Sequence, residues 1–374
     1  MATLTKEEQG LVALKATVGT TTTLISRLRN TKPADSNSAE KKNDIDALDL
    51  AHDSASLIIA HSTKLSLLII NKPFTSSAIT TVLRELVSGP LPGLASAVEL
   101  CQPSRYTKAM SSELQWRATK VFTELEILVA SIPLDGKILT DDQKNGTGSE
   151  KGKGSLANTG VVWKACDNVI ALKKLGVVGL VIQKANEYRA LLKDALEELQ
   201  EWGDESDGDE DDQQSGDDDK EISAQDAVDN IFGSQQHIPK DDPENIRSRL
   251  ESANKRLRLV ILMYQAVVKR RFRTLPHLPH PELPPDLNEK SSENPGIVSC
   301  LDEVLDGLKE IPDITDELAN SFYELDVEEI DKRTEECFFK GSSVAELLVK
   351  DWEGQKDDFS TWALKFQVAM KKGW

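Results

Sequence analysis

Very few side chains in this 374-residue chain stand at the spacings that catalysis or metal binding requires. His277 and His280 are three residues apart, but the prolines around them forbid a helix that would bring the two rings together, and no third ligand is nearby. The sequence contains no Gly-x-Ser-x-Gly or His-Glu-x-x-His motif, and no Cys with a plausible His partner. We therefore expect no catalytic residue, no metal site and no cofactor, and we expect that the protein is not an enzyme.

The segment Gly146-Thr-Gly-Ser-Glu-Lys-Gly-Lys-Gly154 resembles a phosphate-binding loop at first sight. Such a loop needs Gly, four residues and then Gly-Lys-Ser/Thr at the start of a helix that follows a strand. Here Gly152 and Lys153 are followed by Gly154, and no strand is predicted before them. The pattern indicates an exposed loop over residues 135–154 instead.

The most distinctive segment of the chain is an acidic tract over residues 204–219. It contains ten acidic residues and no basic one, and it supplies more than half of the net charge of -18. It has no apolar side chain to bury and repels itself, so we predict a solvated, disordered arm. This arm is a candidate binding site for a basic partner. Its acidic residues are Asp204, Glu205, Asp207, Asp209, Glu210, Asp211, Asp212, Asp217, Asp218 and Asp219.

Two serines within the acidic tract are candidate phosphorylation sites. Ser206 and Ser215 each have an acidic residue three positions later, Asp209 and Asp218. Acid-directed serine kinases prefer that arrangement. Each phosphate would add about -1.5 to -2 charges to the arm, so we predict a phosphoprotein.

Outside the tract the chain is only moderately acidic, and this charge limits the classes of partner that it can bind. Affinity for nucleic acid comes mainly from Lys and Arg on phosphates, so we expect no direct nucleic-acid ligand. The most apolar run, residues 65–70, is too short to span a bilayer, and the first residues show no signal peptide. The four cysteines lie far apart without a Cys-x-x-Cys pair, which predicts reduced and mostly buried thiols in an intracellular protein.

Apolar residues recur every three and four positions along most of the chain, as they do on one face of a helix. A period of two, typical of strands, is absent. The fold class we predict is all-α: an antiparallel multi-helix bundle of about five helices, followed by a second helical domain. We predict helices over residues 5–28, 45–71, 76–87, 94–100, 108–132, from 155 on, 178–199, 224–232, 242–273, 297–308, 315–323, 327–339 and 343–371.

The acidic tract is the simplest place to divide the chain. We predict an N-terminal helical bundle over residues 1–202, an acidic linker over 203–221 and a C-terminal helical domain over 222–374. The C-terminal part either forms its own core or adds helices to the first bundle. The apolar seam of residues 178–199 is expected to be buried inside its own bundle rather than to form a zipper with a partner.

Several sequence blocks together resemble the cyclin-D-binding protein family (GCIP-like, Grap and cyclin-D-interacting). Val162-Trp-Lys-Ala-Cys166 is followed by a long helix with Lys184-Ala-Asn-Glu and Leu192-Lys-Asp-Ala-Leu-Glu-Glu198, and then by the acidic tract. Further matches are Leu67-Leu-Ile-Ile-Asn-Lys-Pro73, Leu301-Asp-Glu-Val-Leu-Asp306 and the stretch of residues 311–323. The likeness is that of a distant member.

The resemblance implies an all-helical, two-domain protein without catalysis, found in the cytoplasm and the nucleus. Its members bind D-type cyclins and adaptor or helix-loop-helix proteins, and they restrain cell-cycle progression. For this chain we accordingly expect a regulatory, protein-binding role through helical surfaces and the acidic arm. The alternative is a cytoskeletal or scaffold bundle of the vinculin or talin kind, because apolar seams of this type serve both.

Overall fold

A computed structural model describes the chain over residues 5–34, 45–146, 154–205, 238–239, 241–279 and 295–371. Every regular element in these residues is a helix, which confirms the all-α prediction. The helices are α1 (Lys6–Leu28), α2 (Ala47–Ile70), α3 (Ser76–Ser88), α4 (Pro90–Leu100), α5 (Pro103–Tyr106), α6 (Lys108–Ala130), α7 (Asp141–Asn145), α8 (Ser155–Glu205), α9 (Ile246–Arg270), a short 3₁₀ helix (Phe272–Thr274), α10 (Pro295–Tyr323), α11 (Val327–Leu347) and α12 (Asp358–Lys371).

The chain divides into two compact units. Unit 1 comprises Met1–Leu180 and Leu278–Val298, and unit 2 comprises Val181–His277 and Ser299–Trp374. The boundary between the units falls inside α8, before the linker over residues 203–221 at which the sequence predicts the division between domains. The reason is that the end of α8 packs on unit 2, through Trp202 against Phe322 and Tyr323. The division into an N-terminal bundle, an acidic linker and a C-terminal domain stays a prediction.

Unit 1 is built around α2, whose buried residues recur every three or four positions. α2 packs against α3 and α4, and α1 packs against α3 and α6. The approach of α4 to α2 needs a glycine, because a Cβ on Gly93 would lie 2.6 Å from the Ser54 hydroxyl. A second link is polar: the backbone N–H of Ala47, at the start of α2, donates to the buried Tyr106 hydroxyl at 2.9 Å.

Among the described helices, α2 is the one long and apolar enough to cross a membrane by length and composition alone. It has 24 residues, and 39% of its most apolar window is buried inside the protein. The core helix of a bundle meets the same criterion, and the packing of α2 on α3 and α4 accounts for its composition. The prediction that the protein binds no membrane stays a prediction.

α8 contains one break, at Gly176, where φ is 63° and ψ is 179°. This backbone conformation is open to glycine and strained for other residues. The sequence separated a helix beginning at Ser155 from an apolar seam beginning at Val178, and the break at Gly176 lies between them. Within the predicted exposed loop of residues 135–154, the structure adds the short helix α7, capped by the Thr140 hydroxyl.

Two prolines lie outside the helices that the sequence predicts, and in the structure both belong to helices. Pro90 opens α4, where its missing N–H would have had no helical partner. Pro312 lies inside the continuous helix α10, which the sequence divided into two helices. A proline at position 312 cannot donate an N–H to the carbonyl of Leu308 one turn earlier. The buried Tyr264 hydroxyl donates to that carbonyl instead, at 2.5 Å.

The start of α9 also differs from its prediction. The sequence predicts a helix from residue 242, but α9 begins at Ile246 after Asn245, whose backbone is left-handed at φ 57°. The Asp242 carboxylate still accepts from the first free N–H groups of α9, those of Ile246 at 2.7 Å and Arg247 at 3.0 Å. The Asp242 side chain therefore satisfies N–H groups at the start of α9, although the helix begins four residues later than the sequence predicts.

The end of α9 carries a basic run over residues 269–273, and one of its side chains, Arg271, is buried instead of facing water. Arg271 is 1% exposed, because α9 ends at Arg270 and the turn after it directs this side chain inward. Its guanidinium donates to both oxygens of Asp357 at 2.7 and 2.8 Å and to the Leu348 carbonyl at 2.8 Å. It also lies 4.4 Å from the centre of the Phe359 ring. The loop between α11 and α12 is held to the end of α9 by these contacts.

Candidate partner-binding surfaces

The acidic tract leaves the folded protein from a firmly packed helix end. Trp202, in the last turn of α8, is 3% exposed, and its ring lies 6.3 Å from that of Phe322 and 5.4 Å from that of Tyr323. The next residue, Gly203, passes close to Leu250 of α9, where a Cβ would lie 2.6 Å from a methyl group. The start of the tract is therefore fixed in position in unit 2.

The structure describes only the beginning of the predicted binding arm. Asp204 is exposed on the last turn of α8, and Glu205 is the final residue of that helix, so the helix extends two residues into the tract. The other candidates lie outside the described residues, as do the helix predicted over 224–232 and His280. These candidates are Ser206, Asp207, Asp209, Glu210, Asp211, Asp212, Ser215, Asp217, Asp218 and Asp219. Their roles stay predictions.

Carboxylates on the folded surface of unit 2 extend the negative charge of the tract. Glu198 of α8 lies near Asp316 and Tyr323 of α10. The pKa of the Asp316 carboxyl is raised, first by its partial burial and then by repulsion from Asp313 and Glu198. The pKa of Tyr323 is raised first by burial and then by the negative charges of Glu198 and Asp316. A cationic partner would relieve this repulsion.

The side chains with possible chemistry are not assembled into a reactive or metal-binding group. Within the described ranges no cluster of three or more His, Cys, Asp and Glu residues could hold a metal ion. His61 lies 3.3 Å from Glu85, and burial lowers its pKa more than that carboxylate raises it. Cys101, Cys166 and Cys337 are buried and Cys300 is partly buried, as the sequence predicted.

The tryptophan of the Val162-Trp-Lys-Ala-Cys166 block lies on the surface. Val162 and Cys166 are fully buried in unit 1, while Trp163 is 40% exposed. Leu156, seven residues earlier on the same face of α8, is 46% exposed, and Ile170, seven residues later, is half-buried. These three residues form the α8 stripe, an apolar row on the outside of the helix. Periodicity alone could not separate it from the core face, because both faces carry apolar residues.

A second exposed tryptophan lies on α6. Trp116 is 64% exposed, and Ile127, eleven residues later on the same face of the helix, is 46% exposed. Tryptophan is among the residues that most often dominate binding energy at protein interfaces. Unit 1 therefore presents two helices with an exposed indole ring.

Comparison with known proteins connects these helices to a family. Residues 51–205 match the family model described as Grap2 and cyclin-D-interacting, N-terminal. This match supports the resemblance of residues 51–205 to the cyclin-D-interacting proteins. The match begins in α2 and ends at the last residue of α8, so it includes both exposed tryptophans and the start of the acidic tract. An uncharacterized protein of Schizosaccharomyces pombe is 22% identical over 322 residues, covering 85% of this chain and 82% of the yeast protein.

Proposed function

We propose that this protein is a non-enzymatic regulator of cell-cycle progression of the cyclin-D-interacting type. The observation that carries the proposal is the exposed Trp163 in the family-matched segment, between the fully buried Val162 and Cys166. Such a ring provides a large apolar contact area that folding of the chain does not use. The match to a cyclin-D-interacting family supports a cyclin-like partner, and adaptor or helix-loop-helix regulators are further candidates.

The acidic arm gives this function an electrostatic component. Its charge continues onto Glu198, Asp313 and Asp316 of the folded surface and favours the approach of a basic partner. Phosphorylation of Ser206 and Ser215 would strengthen that attraction. A regulator of this type acts in the cytoplasm and the nucleus, and we propose both locations for this chain. We also propose that it binds neither nucleic acid nor membranes directly.

The test is a binding measurement between the full chain and purified D-type cyclin, with Trp163→Ala as the main variant. Loss of the ring is expected to weaken binding about tenfold, the effect of truncating an interface hot spot. Because Trp163 is partly exposed, helical circular dichroism should not change. The matched control is Leu57→Ala, which removes another large apolar side chain of unit 1, 50% exposed, and is expected to bind as the unchanged chain does.

Two further outcomes would redirect the proposal. Equal binding by Trp163→Ala and the unchanged chain contradicts a role for the α8 stripe. Capture of actin or adhesion proteins in place of cyclins would favour the scaffold alternative. Deletion of residues 206–219 tests the arm separately: if every partner stays bound with the same salt dependence, the arm is only a soluble linker.

A further inference from the structure

α11 and α12 form a helical hairpin in unit 2 with an open groove between them. The helices are antiparallel, since the Gln367 side chain on α12 donates to Glu346 near the end of α11 at 2.6 Å, while Met370 and Lys371 line the groove beside Phe338 and Phe339. The groove has a volume of about 640 Å³ and follows α11 over residues 335–346. We call it the α11/α12 groove. It lies outside the family-matched residues 51–205.

The groove contains the most exposed large apolar side chain of the described residues. Phe339 is 75% exposed, although its neighbour Phe338 and the facing Met370 are almost fully buried. On the outer side of α12, Leu364 and Val368 are each about half exposed and lie one helical turn apart. An isolated exposed apolar residue is ordinary, but an aromatic ring beside a groove with an apolar floor is typical of an interaction site.

The rim of the groove is acidic. Glu335, Glu336 and Glu346 lie along α11, and Lys371 is the cation among the lining residues. Glu336 is paired with Arg333 at 2.9 Å, and Glu346 accepts the Gln367 hydrogen bond. Among the described residues Glu335 has no ion-pair partner. A cation placed on this rim would therefore meet a carboxylate that is available.

We infer that the α11/α12 groove binds an amphipathic helix of a protein partner, one that carries basic residues on both sides of an apolar stripe. The apolar stripe would cover Phe339 and the groove floor, and the basic residues would reach Glu335, Glu336 and Glu346. A helix fits because the groove runs between two helices and follows one of them for twelve residues, about 16 Å from first to last Cα. This surface is separate from the α8 stripe and from the acidic arm, so its test is independent of the proposed function.

The test uses the full chain and a model peptide of about 18 residues, with leucines at positions i, i+3, i+4 and i+7 and lysines elsewhere. One leucine is replaced by a photo-crosslinking residue. Binding is measured by fluorescence anisotropy at about 0.3 M salt, which screens loose attraction to the acidic arm. We expect crosslinks to residues 335–346 and to α12. A peptide with the same leucines but glutamates elsewhere should bind at least tenfold more weakly.

Three variants locate the binding. Phe339→Ala should lower the affinity for the Leu/Lys peptide about tenfold. The double variant Glu335→Lys with Glu336→Lys should lower it several-fold and reduce its salt dependence. The matched control is Leu191→Ala, which removes another large apolar side chain, 55% exposed, from unit 2 and should leave the affinity unchanged. All variants change exposed side chains, and circular dichroism confirms that they fold.

Each of three results would overturn the inference. Crosslinks confined to residues 204–219 would assign the peptide to the acidic arm and leave the proposed function intact. Equal affinity of Phe339→Ala and the unchanged chain would show that the groove does not bind the peptide. A dimer in sedimentation that disappears with Phe339→Ala would identify a second copy of the chain as the occupant.

Discussion

Removal of the Tyr264 hydroxyl should lower the free energy of unfolding. This hydroxyl donates a hydrogen bond to the Leu308 carbonyl, which lacks its usual backbone donor because residue 312 is a proline. Pro312 in α10 provides no N–H for the Leu308 carbonyl, and the Tyr264 hydroxyl donates to it at 2.5 Å. Burial raises the pKa of Tyr264 well above its usual range, so the hydroxyl keeps its proton and stays a donor. Tyr264→Phe keeps the ring and removes only this donor.

The expected cost follows from the burial of both partners. Tyr264 and Leu308 are fully buried, so water cannot replace the lost hydrogen bond. A buried carbonyl left without its donor costs about 1–3 kcal/mol, and we expect Tyr264→Phe to lower the free energy of unfolding by this amount. Pro312→Ala restores a backbone N–H one turn after Leu308. In that background the cost of Tyr264→Phe should fall by at least about 1 kcal/mol.

The assay is urea unfolding of the four chains of this double-mutant cycle, followed by circular dichroism at 222 nm. Tyr106→Phe is the matched control, because its hydroxyl also bonds a buried backbone group, the Ala47 N–H in unit 1. Its cost should be the same with Pro312 or with alanine at that position. The explanation fails if Tyr264→Phe costs equally much in both backgrounds.

Three further predictions concern the buried ion pair and the cysteines. Arg271→Met should lower the free energy of unfolding by about 2–4 kcal/mol, because several hydrogen bonds lose their buried donor. Urea unfolding measures this loss, and a loss below about 0.5 kcal/mol would contradict the prediction. Arg271 also holds the pKa of Asp357 well below its usual range, so the stabilisation is present above about pH 4 and is lost as the pH falls through that lower pKa. The stability difference between the unchanged chain and Asp357→Asn should therefore shrink between pH 7 and pH 2.5. Burial raises the pKa values of Cys101 and Cys166 to about 12. A thiol reagent at pH 8 should therefore modify the partly exposed Cys300 first, which peptide mass spectrometry would detect. Early modification of Cys101 would contradict its burial.

The helices of unit 1 could be predicted because local sequence decides them. α1, for example, begins where Thr5 and Glu8 cap each other and continues through a regular apolar pattern. Local sequence does not decide the structure at Pro312 and Arg271. A proline normally stops a helix and a basic cluster normally faces water, but Tyr264 and Asp357, distant in sequence, supply the partners that reverse both expectations. Such partners become visible only after the chain has folded.

The candidate sites were predictable to different degrees. The acidic tract is evident from composition alone, since charge without apolar residues needs no structural context. The α11/α12 groove was missed because residues 343–371 were predicted as one helix. The local signals for the turn were present: Gly354 adopts φ 81°, and Asp357 and Ser360 exchange hydrogen bonds across the first turn of α12. Read together, they would have predicted a helical hairpin.

The burial of Trp202 has a practical consequence for work with fragments of this protein. A fragment cut at the limits of the family match, residues 51–205, would keep this tryptophan and lose its aromatic neighbours Phe322 and Tyr323. It would also lack α1, which packs on α3 and α6. Both losses place core side chains in water, so such a fragment should aggregate. Expression screens that follow homology limits would then report an insoluble protein where the full chain is well packed.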